Sequence, residues 1–407
     1  MRTRTVTPLR GVLMALATAL AIGLGWQAWQ VNITLACWKD EWPHLAVCDD
    51  INGRTEPERW ERLHQRLQRN PGDAQARVEL AVLAHTGGFG TPAERSALLD
   101  QALAAAPQHP EVLQLQAARA LDARQWPQAL EPLQRLVRFH ASTPAAQTLV
   151  QLLQVAPALP ALDEALRQAV REDADWLERV LRAMPGMKVP VGQAWPLLAE
   201  AMAHHRLAPR LGQFVTGRLK AEGRWTEAQV VWLHLWDRPL PLLFNGGFES
   251  DFVAQGFDWE VPGPNDHRAG AQVTLVGRGE RGRVLRVRLA GKGFRSPLVR
   301  QHLVLPPGHY RLQGDWQSTD LRSAQGLSWV LTCLGGPGSQ PRELARSAPL
   351  QPTGRDWKTW QLDVQVPDTG CGPGLQLALQ PHAAYEARAG MQGEIVFDAM
   401  RLDTASH

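Results

Sequence analysis

The 407-residue chain is poor in lysine, tyrosine and cysteine, and it carries little net charge. Lysine occurs at only five positions, which are Lys39, Lys188, Lys220, Lys292 and Lys358. Arginine supplies most of the 43 basic residues, which are scattered among 40 acidic ones and give a formal net charge of +3. Because no basic helix and no aromatic-basic motif concentrates this charge, the sequence argues against nucleic acid as a partner.

The chain also lacks the short motifs that carry catalysis. It contains no G-x-S-x-G nucleophile elbow, no P-loop, no dinucleotide fingerprint and no H-E-x-x-H zinc motif. Nothing in the sequence singles out a pair of carboxylates of the kind that glycosidases use. We therefore predict that the protein is not an enzyme.

The four cysteines form two pairs that are close in sequence, Cys37 with Cys48 and Cys333 with Cys371. Neither pair has C-x-x-C spacing, and His44 adds only a third candidate ligand to the first pair, so a closed zinc site is not predicted. We expect two disulfides and an oxidising compartment. Closing the loop between Cys333 and Cys371 would stabilise its domain by on the order of 3 kcal/mol.

The N-terminal segment has the pattern of a signal anchor. Three arginines precede an uncharged run from Gly11 to Gly25, and a span from Gly11 to Val31 is long enough to cross a bilayer. The pattern predicts a single-pass bacterial inner-membrane protein, with residues 1–36 as a cytoplasmic tip and anchor helix and with its bulk in the periplasm. Residues 37–56 form a linker with the first cysteine pair. The alternative is a cleaved signal peptide and a secreted or periplasmic protein.

Residues 57–238 show apolar side chains at helical spacing, interrupted by short turns rich in proline, glycine and aspartate. The turns recur at a spacing of about 35 residues, with two helices to each unit. The segments 101–107 and 223–228 resemble parts of the tetratricopeptide repeat. This resemblance implies an α-solenoid of helix pairs that binds a protein partner, and the alternative is a spacer.

From residue 242 to 407 the pattern changes to short alternating runs separated by turn signals, which predicts an antiparallel β-sandwich of the jelly-roll type with about eight strands. Leu243–Glu249 is expected to be its opening strand and Ile395–Leu402 its closing strand. Alternation within the runs predicts three core tryptophans, Trp316, Trp329 and Trp360.

The opening segment Asn245–Glu249, the downstream Trp259, the run 305–310 and the closing 395–398 resemble the galactose-binding-like jelly-roll carbohydrate-binding modules. The resemblance implies a structural Ca²⁺ between the first and last strands, with Glu249 and Asp398 as the carboxylate ligands. The alternative is that both carboxylates only accept hydrogen bonds from loop amides.

The same resemblance implies a surface that contacts a polysaccharide. Exposed aromatic rings and basic side chains suit this role, and the candidate contacts are Trp259, Trp357, His309, Arg286 and Arg288. Arginines at 281, 283, 286 and 288 suit an acidic polymer, and a solvated strand face explains them equally well.

The sequence thus predicts a multidomain α plus β protein with an anchor, a helical array and a terminal sandwich. The expected function is a non-catalytic, membrane-anchored periplasmic scaffold or adaptor in the synthesis or export of exopolysaccharide or another envelope glycan. Its expected partners are an envelope protein on the helices, a polysaccharide on the sandwich and the membrane. The alternative is an assembly factor for envelope or cytochrome complexes that binds no glycan.

Overall fold

The computed structural model describes residues 55–236, 239–253, 255–261, 270–335, 340–354 and 356–405, together with Gln27 and Trp29. The chain divides into two compact units, one that ends at Ala146 and one that begins at Gln147. Helices make up the described part of the first unit, and the second contains both helices and a β-sandwich. The predicted pairing of Cys37 with Cys48 lies outside the described residues.

The helices of the first unit begin and end at the turns that the sequence predicts. They are α1 (Glu56–Arg69), α2 (Ala74–Thr86), α3 (Pro92–Ala105), α4 (Pro110–Asp122) and α5 (Trp126–His140). Thr55 and Thr91 each form a capping box with the glutamate three residues later, which satisfies backbone amides at the start of α1 and of α3. Buried side chains of α2, α3 and α4 form one apolar cluster.

Six more helices follow, of which the first crosses the boundary between the units. They are α6 (Thr143–Val155), α7 (Pro160–Glu172), α8 (Leu177–Ala183), α9 (Trp195–Ala203), α10 (Pro209–Ala221) and α11 (Trp225–His234). A helical array is therefore present as predicted, but its identity as a tetratricopeptide repeat is not confirmed. Short 3₁₀ turns such as Met184–Met187 interrupt the regular spacing in the middle of the array.

The β-domain is a sandwich of two antiparallel sheets. The strands are β1 (Ala271–Gly277), β2 (Arg283–Ala290), β3 (Val299–Val304), β4 (Gly308–Arg322), β5 (Leu327–Cys333), β6 (Arg342–Arg346), β7 (Lys358–Val366), β8 (Gly374–Pro381) and β9 (Gln392–Thr404). A five-stranded sheet has the order β1-β2-β9-β4-β7, and a four-stranded sheet has the order β3-β8-β5-β6. A one-turn helix, α12 (Glu386–Ala389), precedes β9.

The core between the sheets contains the three tryptophans that alternation places there. Trp316, Trp329 and Trp360 are all buried, and Trp329 is fully buried. The ring centroid of Trp329 lies 5.9 Å from that of Trp360 and 5.3 Å from that of Phe397. Strand β5 ends at Cys333, which is bonded to Cys371 as predicted.

The predicted opening strand is not a strand. Leu243–Glu249 forms a tight turn in which Asn245 and Phe248 have positive φ angles of 48° and 57°. The turn nevertheless contacts the last strand, because the Met400 amide donates to the Gly246 carbonyl at 2.9 Å. A side chain at Gly246 would collide with the Met400 carbonyl, so this close approach of two backbones requires glycine.

Helices α10 and α11 pack on the sandwich in the second unit. Four rings, which we call the aromatic seam, join α11 and the residues after it to the segment before β1, and they are Trp232, Trp236, Phe244 and Phe257. Trp225, at the start of α11, lies against Gly374 of β8, where a side chain would overlap the indole. The helices therefore cover part of the outer face of the four-stranded sheet.

The predicted single-pass inner-membrane protein is contradicted. Across the part of the chain that the structure describes, every helix is too short or too polar to span a bilayer. The segment on which this prediction was based, Gly11–Val31, lies outside the described residues except for Gln27 and Trp29. The anchor and the localisation derived from it are not supported.

Candidate functional site

The outer side of the five-stranded sheet carries polar side chains that antiparallel register aligns across all five strands. We call this set the polar sheet face, and it consists of Thr274, Arg286, Asp398, Asp315, Gln317 and Thr359. In one row Arg286 lies between Thr274 and Val396, and Val396 is also paired with Gln317. In the next row Asp315 lies between Asp398 and Thr359. Alternation along the strands directs these side chains away from the core.

Arg281, from the turn between β1 and β2, is at the centre of this face. Its guanidinium donates to the Oδ2 atoms of Asp315 and Asp398, each at 3.1 Å. The same guanidinium lies 4.1 Å from the ring centroid of Trp357, which is a cation–π distance. Burial acts to lower the pKa of Arg281, but the hydrogen bonds to both aspartates outweigh it and raise the pKa. Thr359 Oγ1 donates to the other oxygen of Asp315 at 2.8 Å.

Asp398 is positioned by a β-bulge in β9. Pairing between β4 and β9 shifts after Gln313 and resumes with Asp315 opposite Asp398, and Ala399 has a φ of 48°. The Ala399 amide donates to Asp398 Oδ1 at 2.7 Å. A bulge of this kind redirects a side chain without ending the sheet. Here it holds the Asp398 carboxylate beside Arg281.

The structure brings some of the predicted glycan contacts together. Arg286 and Arg288 lie on the outer side of β2, and Arg286 Nε donates to Thr274 Oγ1 at 3.2 Å. Trp357, half-buried beneath Arg281, borders the same face. His309 is exposed at the start of β4, six residues along that strand from Asp315.

The expectation that Trp259 is exposed is wrong. Its indole is fully buried and donates to the Asn245 carbonyl at 3.1 Å. The ring lies between Phe248 and Trp329, with centroid distances of 5.5 Å and 5.8 Å. The neighbouring Glu260 forms a bridge to β3 with its side chain outward, and alternation therefore turns Trp259 into the core.

The residues proposed for a structural Ca²⁺ do not fit one. Asp398 already binds the Arg281 guanidinium, and the side-chain oxygens of Glu249 both accept from the Arg283 amide. A cation site needs oxygens that are free to converge, whereas the Oδ2 oxygen of Asp398 is occupied by a fixed positive charge. Within the described ranges, no group of three histidine, cysteine, aspartate or glutamate side chains is placed to hold a metal ion.

A second group of charged side chains lies where α10 meets the sandwich. We call it the Glu260 cluster, and it consists of Lys220, Glu260, Arg300 and His302. Glu260 Oε2 accepts from Arg300 Nε at 2.7 Å, and Oε1 lies 3.1 Å from His302 Nδ1. Lys220 Nζ lies 3.5 Å from Glu260 Oε1. Three basic groups thus share one carboxylate.

The environment of this cluster shifts three pKa values. Burial acts to raise the pKa of Glu260, but His302, Lys220 and Arg300 together lower it to about 2. Burial lowers the pKa of His302 despite its hydrogen bond to Glu260, and it lowers that of Lys220 despite the same carboxylate. The attraction of three basic groups therefore outweighs desolvation at Glu260, whereas the attraction of one carboxylate does not outweigh desolvation at Lys220 and His302.

Sequence reasoning missed Asp315 and Gln317 on the polar sheet face and the whole Glu260 cluster. The first two were detectable, because they alternate with the apolar residues of β4. The cluster carries no such signal, since Lys220 and Glu260 are 40 positions apart and belong to different elements.

No protein-family model matches the chain, and no characterised protein matches it in sequence. Among solved structures, a family 4 carbohydrate-binding module (CBM4) is similar, with 16% identity, a TM-score of 0.29, and coverage of 40% of this chain and 99% of that one. The CBM22-1 xylan-binding domain of Paenibacillus barcinonensis is similar with 15% identity and a TM-score of 0.29, and the match covers 40% of this chain and 93% of that domain. TmCBM61 in complex with β-1,4-galactotriose has 18% identity, a TM-score of 0.26, and coverage of 41% and 100%. The C-terminal β-domain resembles carbohydrate-binding modules in structure, and identities and TM-scores this low say nothing about what it binds.

Proposed function

We propose that this chain is a non-catalytic glycan-binding protein whose polar sheet face binds a polysaccharide. The observation that carries the proposal is the arrangement of Asp315, Asp398 and Thr359 around the Arg281–Trp357 pair, all on the outer side of one sheet. A pyranose ring presents hydroxyl groups that both donate and accept hydrogen bonds, and a C–H face that packs on an indole. This surface offers both kinds of contact within a few ångströms.

The side chains of this surface are held in place before any ligand binds. Each oxygen of Asp315 has its own donor, and Arg281 is held by two carboxylates and an indole. Preorganisation of this kind reduces the entropy lost on binding. Asp315 and Arg281 keep 25% and 36% of their side-chain surface exposed, so a ligand can still reach them.

Arg281 also partly covers the ring that a sugar would stack on. A cation–π contact at a partly exposed site contributes only about 0.5–1 kcal/mol. A sugar ring that packs on Trp357 replaces this contact with one of similar energy. Charge-assisted hydrogen bonds from the sugar hydroxyls to Asp315 then add to the binding energy. The helical array then remains available for a protein partner, and we propose that the chain acts as an adaptor between that partner and the glycan.

Replacing Trp357 with alanine is expected to weaken polysaccharide binding by about 10-fold or more, and Asp315→Asn is expected to weaken it similarly. Trp357→Phe keeps an aromatic face and is expected to retain most of the affinity. Binding is measured with the full chain on an array of xylan, β-glucan, galactan and acidic polysaccharides, followed by titration calorimetry with the best ligand.

The matched control for Asp315→Asn is Asp100→Asn, which also removes a carboxylate paired with an arginine, but in the helical array. It is expected to leave glycan binding unchanged. If the wild-type chain binds none of these polysaccharides, the proposal is wrong, and the protein-interaction role then becomes the better hypothesis.

A further inference from the structure

A cavity of about 410 Å³ opens beside the Glu260 cluster, between helix α10 and the sandwich. One wall is a single face of α10, where Gln213, Gly217 and Lys220 follow one another at helical spacing. The opposite wall is formed by Glu260, Arg300 and His302, and the cavity is also lined by Trp225, Ala221, Gln255 and Gly256. Its volume falls within the range of ordinary small-ligand pockets.

The charge of this cavity is unbalanced. Among the residues that the structure describes, the ionisable side chains that line it are the four of the Glu260 cluster, so Lys220 and Arg300 together face one carboxylate. Arg300 Nη2 and Nε lie 2.6 and 2.7 Å from Glu260 Oε2, whereas Lys220 Nζ lies 3.5 Å from Glu260 Oε1. Only 12% of the Lys220 side chain is exposed, so water does little to solvate its charge. Binding of one anionic group would neutralise the excess.

The rest of the lining suits a sugar better than a bare anion. Gln213 and Gln255 each offer an amide donor and an amide acceptor, and the indole of Trp225 adds an apolar surface. A second cavity of about 340 Å³ shares Glu260 and Arg300 with the first and adds Arg295. Two adjoining cavities that share the Glu260–Arg300 pair as a common wall match consecutive units of a chain rather than a single small ion.

We propose that this cavity is a second binding site, and that it takes the carboxylate-bearing unit of an acidic polysaccharide, such as a uronic acid residue. Lys220 and Arg300 would bind the carboxylate, and the glutamine amides would bind ring hydroxyls. This inference rests on the proposed glycan binding and adds an acidic sugar as its ligand class. Burial lowers the pKa of Lys220, and an anion next to the ammonium would offset part of that desolvation.

Gly217 allows the cavity to be filled without disturbing its walls. A Cβ added at this position meets no other atom within 4 Å, so a larger side chain projects into open space. Gly217 lies inside α10, where leucine has a higher helix propensity than glycine. Gly217→Leu is therefore expected to fold at least as stably as the wild type while it blocks the site.

The experiment titrates the full chain with oligogalacturonate and oligomannuronate, with a neutral galactan oligomer of equal length, and with acetate. We expect saturable binding of at least one uronate oligomer, at least about 10-fold weaker binding of the neutral oligomer and of acetate, and at least about 10-fold loss in Gly217→Leu and in Lys220→Met. Gly217→Ala, which adds only a methyl group, is the matched control and is expected to keep most of the affinity.

Failure to bind either uronate oligomer would overturn the inference, and so would equal binding of acetate or unchanged binding by Gly217→Leu. The two sites are distinguished by their variants, because Trp357→Ala leaves this cavity intact and Gly217→Leu leaves the polar sheet face intact. Glycan binding that Trp357→Ala abolishes and Gly217→Leu does not affect would refute the second site and support the first.

Discussion

Replacing Trp329 with alanine is expected to lower the free energy of unfolding of the β-sandwich by about 4 kcal/mol. Trp329 is fully buried at the centre of the core, and its ring contacts Trp259 and, across the core, Trp360 and Phe397 of the five-stranded sheet. No single neighbour can move to fill the space, because the others are held in their own strands. Urea unfolding followed by tryptophan fluorescence measures the change.

Trp329→Phe is the control for this substitution. The Trp329 Nε1 atom is buried without a hydrogen-bond partner, so phenylalanine loses volume but no hydrogen bond, and it removes an unsatisfied donor. We expect this variant to lose about 1 kcal/mol or less. A loss in Trp329→Ala as small as that in Trp329→Phe would show that the aromatic core repacks around the cavity.

Replacing Glu260 with glutamine is expected to destabilise the second unit by about 3 kcal/mol at neutral pH. The substitution leaves Lys220 buried without a counter-charge, and it removes the acceptor that Arg300 and His302 share. Asp363→Asn, which breaks an exposed pair with Arg311, is the matched control and is expected to cost about 0.5 kcal/mol or less. Equal effects of the two substitutions would mean that the cluster contributes no more than a surface ion pair.

The same cluster predicts how stability depends on pH. The pKa of Glu260 is about 2 in the folded chain against an ordinary value of 4.5, so its contribution is complete above pH 4.5 and is lost as the pH falls towards 2. That contribution is about 2 kcal/mol once screening at its exposed quarter is taken into account. The pKa of His302 is also lowered, so acidification below 6.5 destabilises the fold further. We expect Glu260→Gln to lose less stability than the wild type between pH 4.5 and 2, because the part that Glu260 contributes is absent.

The parts of the fold that were predictable are those with a local period. Alternation along β4, β5 and β7 identified three core tryptophans, and the turns between helices bounded α2 to α5. Leu243–Glu249 was mistaken for a strand, whereas it is a turn with positive φ at Asn245 and Phe248, and its Gly246 carbonyl accepts a hydrogen bond from Met400 of the distant β9. Contacts between distant segments leave no periodic signal.

The residues of the two candidate sites were likewise predictable only where they follow a local period. Arg286 and Arg288 were found because they alternate with the apolar residues of β2. The Glu260 cluster requires the end of α10 to lie beside Glu260, and the aromatic seam that holds α11 against the sandwich depends on rings from separate segments. Tryptophans at 225, 232 and 236 carry no signal in the sequence that links them to the sandwich, and only the folded chain shows that they join the helices to it.

Strand β9 has a consequence for how the protein is made. It lies between β2 and β4 in the five-stranded sheet, and yet it is the last strand of the sandwich to leave the ribosome. Without β9, the remaining pairs of this sheet are β1 with β2 and β4 with β7, and the edges of β2 and β4 that β9 covers have no partner. A chain truncated before Gln392 is therefore expected to expose both of these edges and to aggregate.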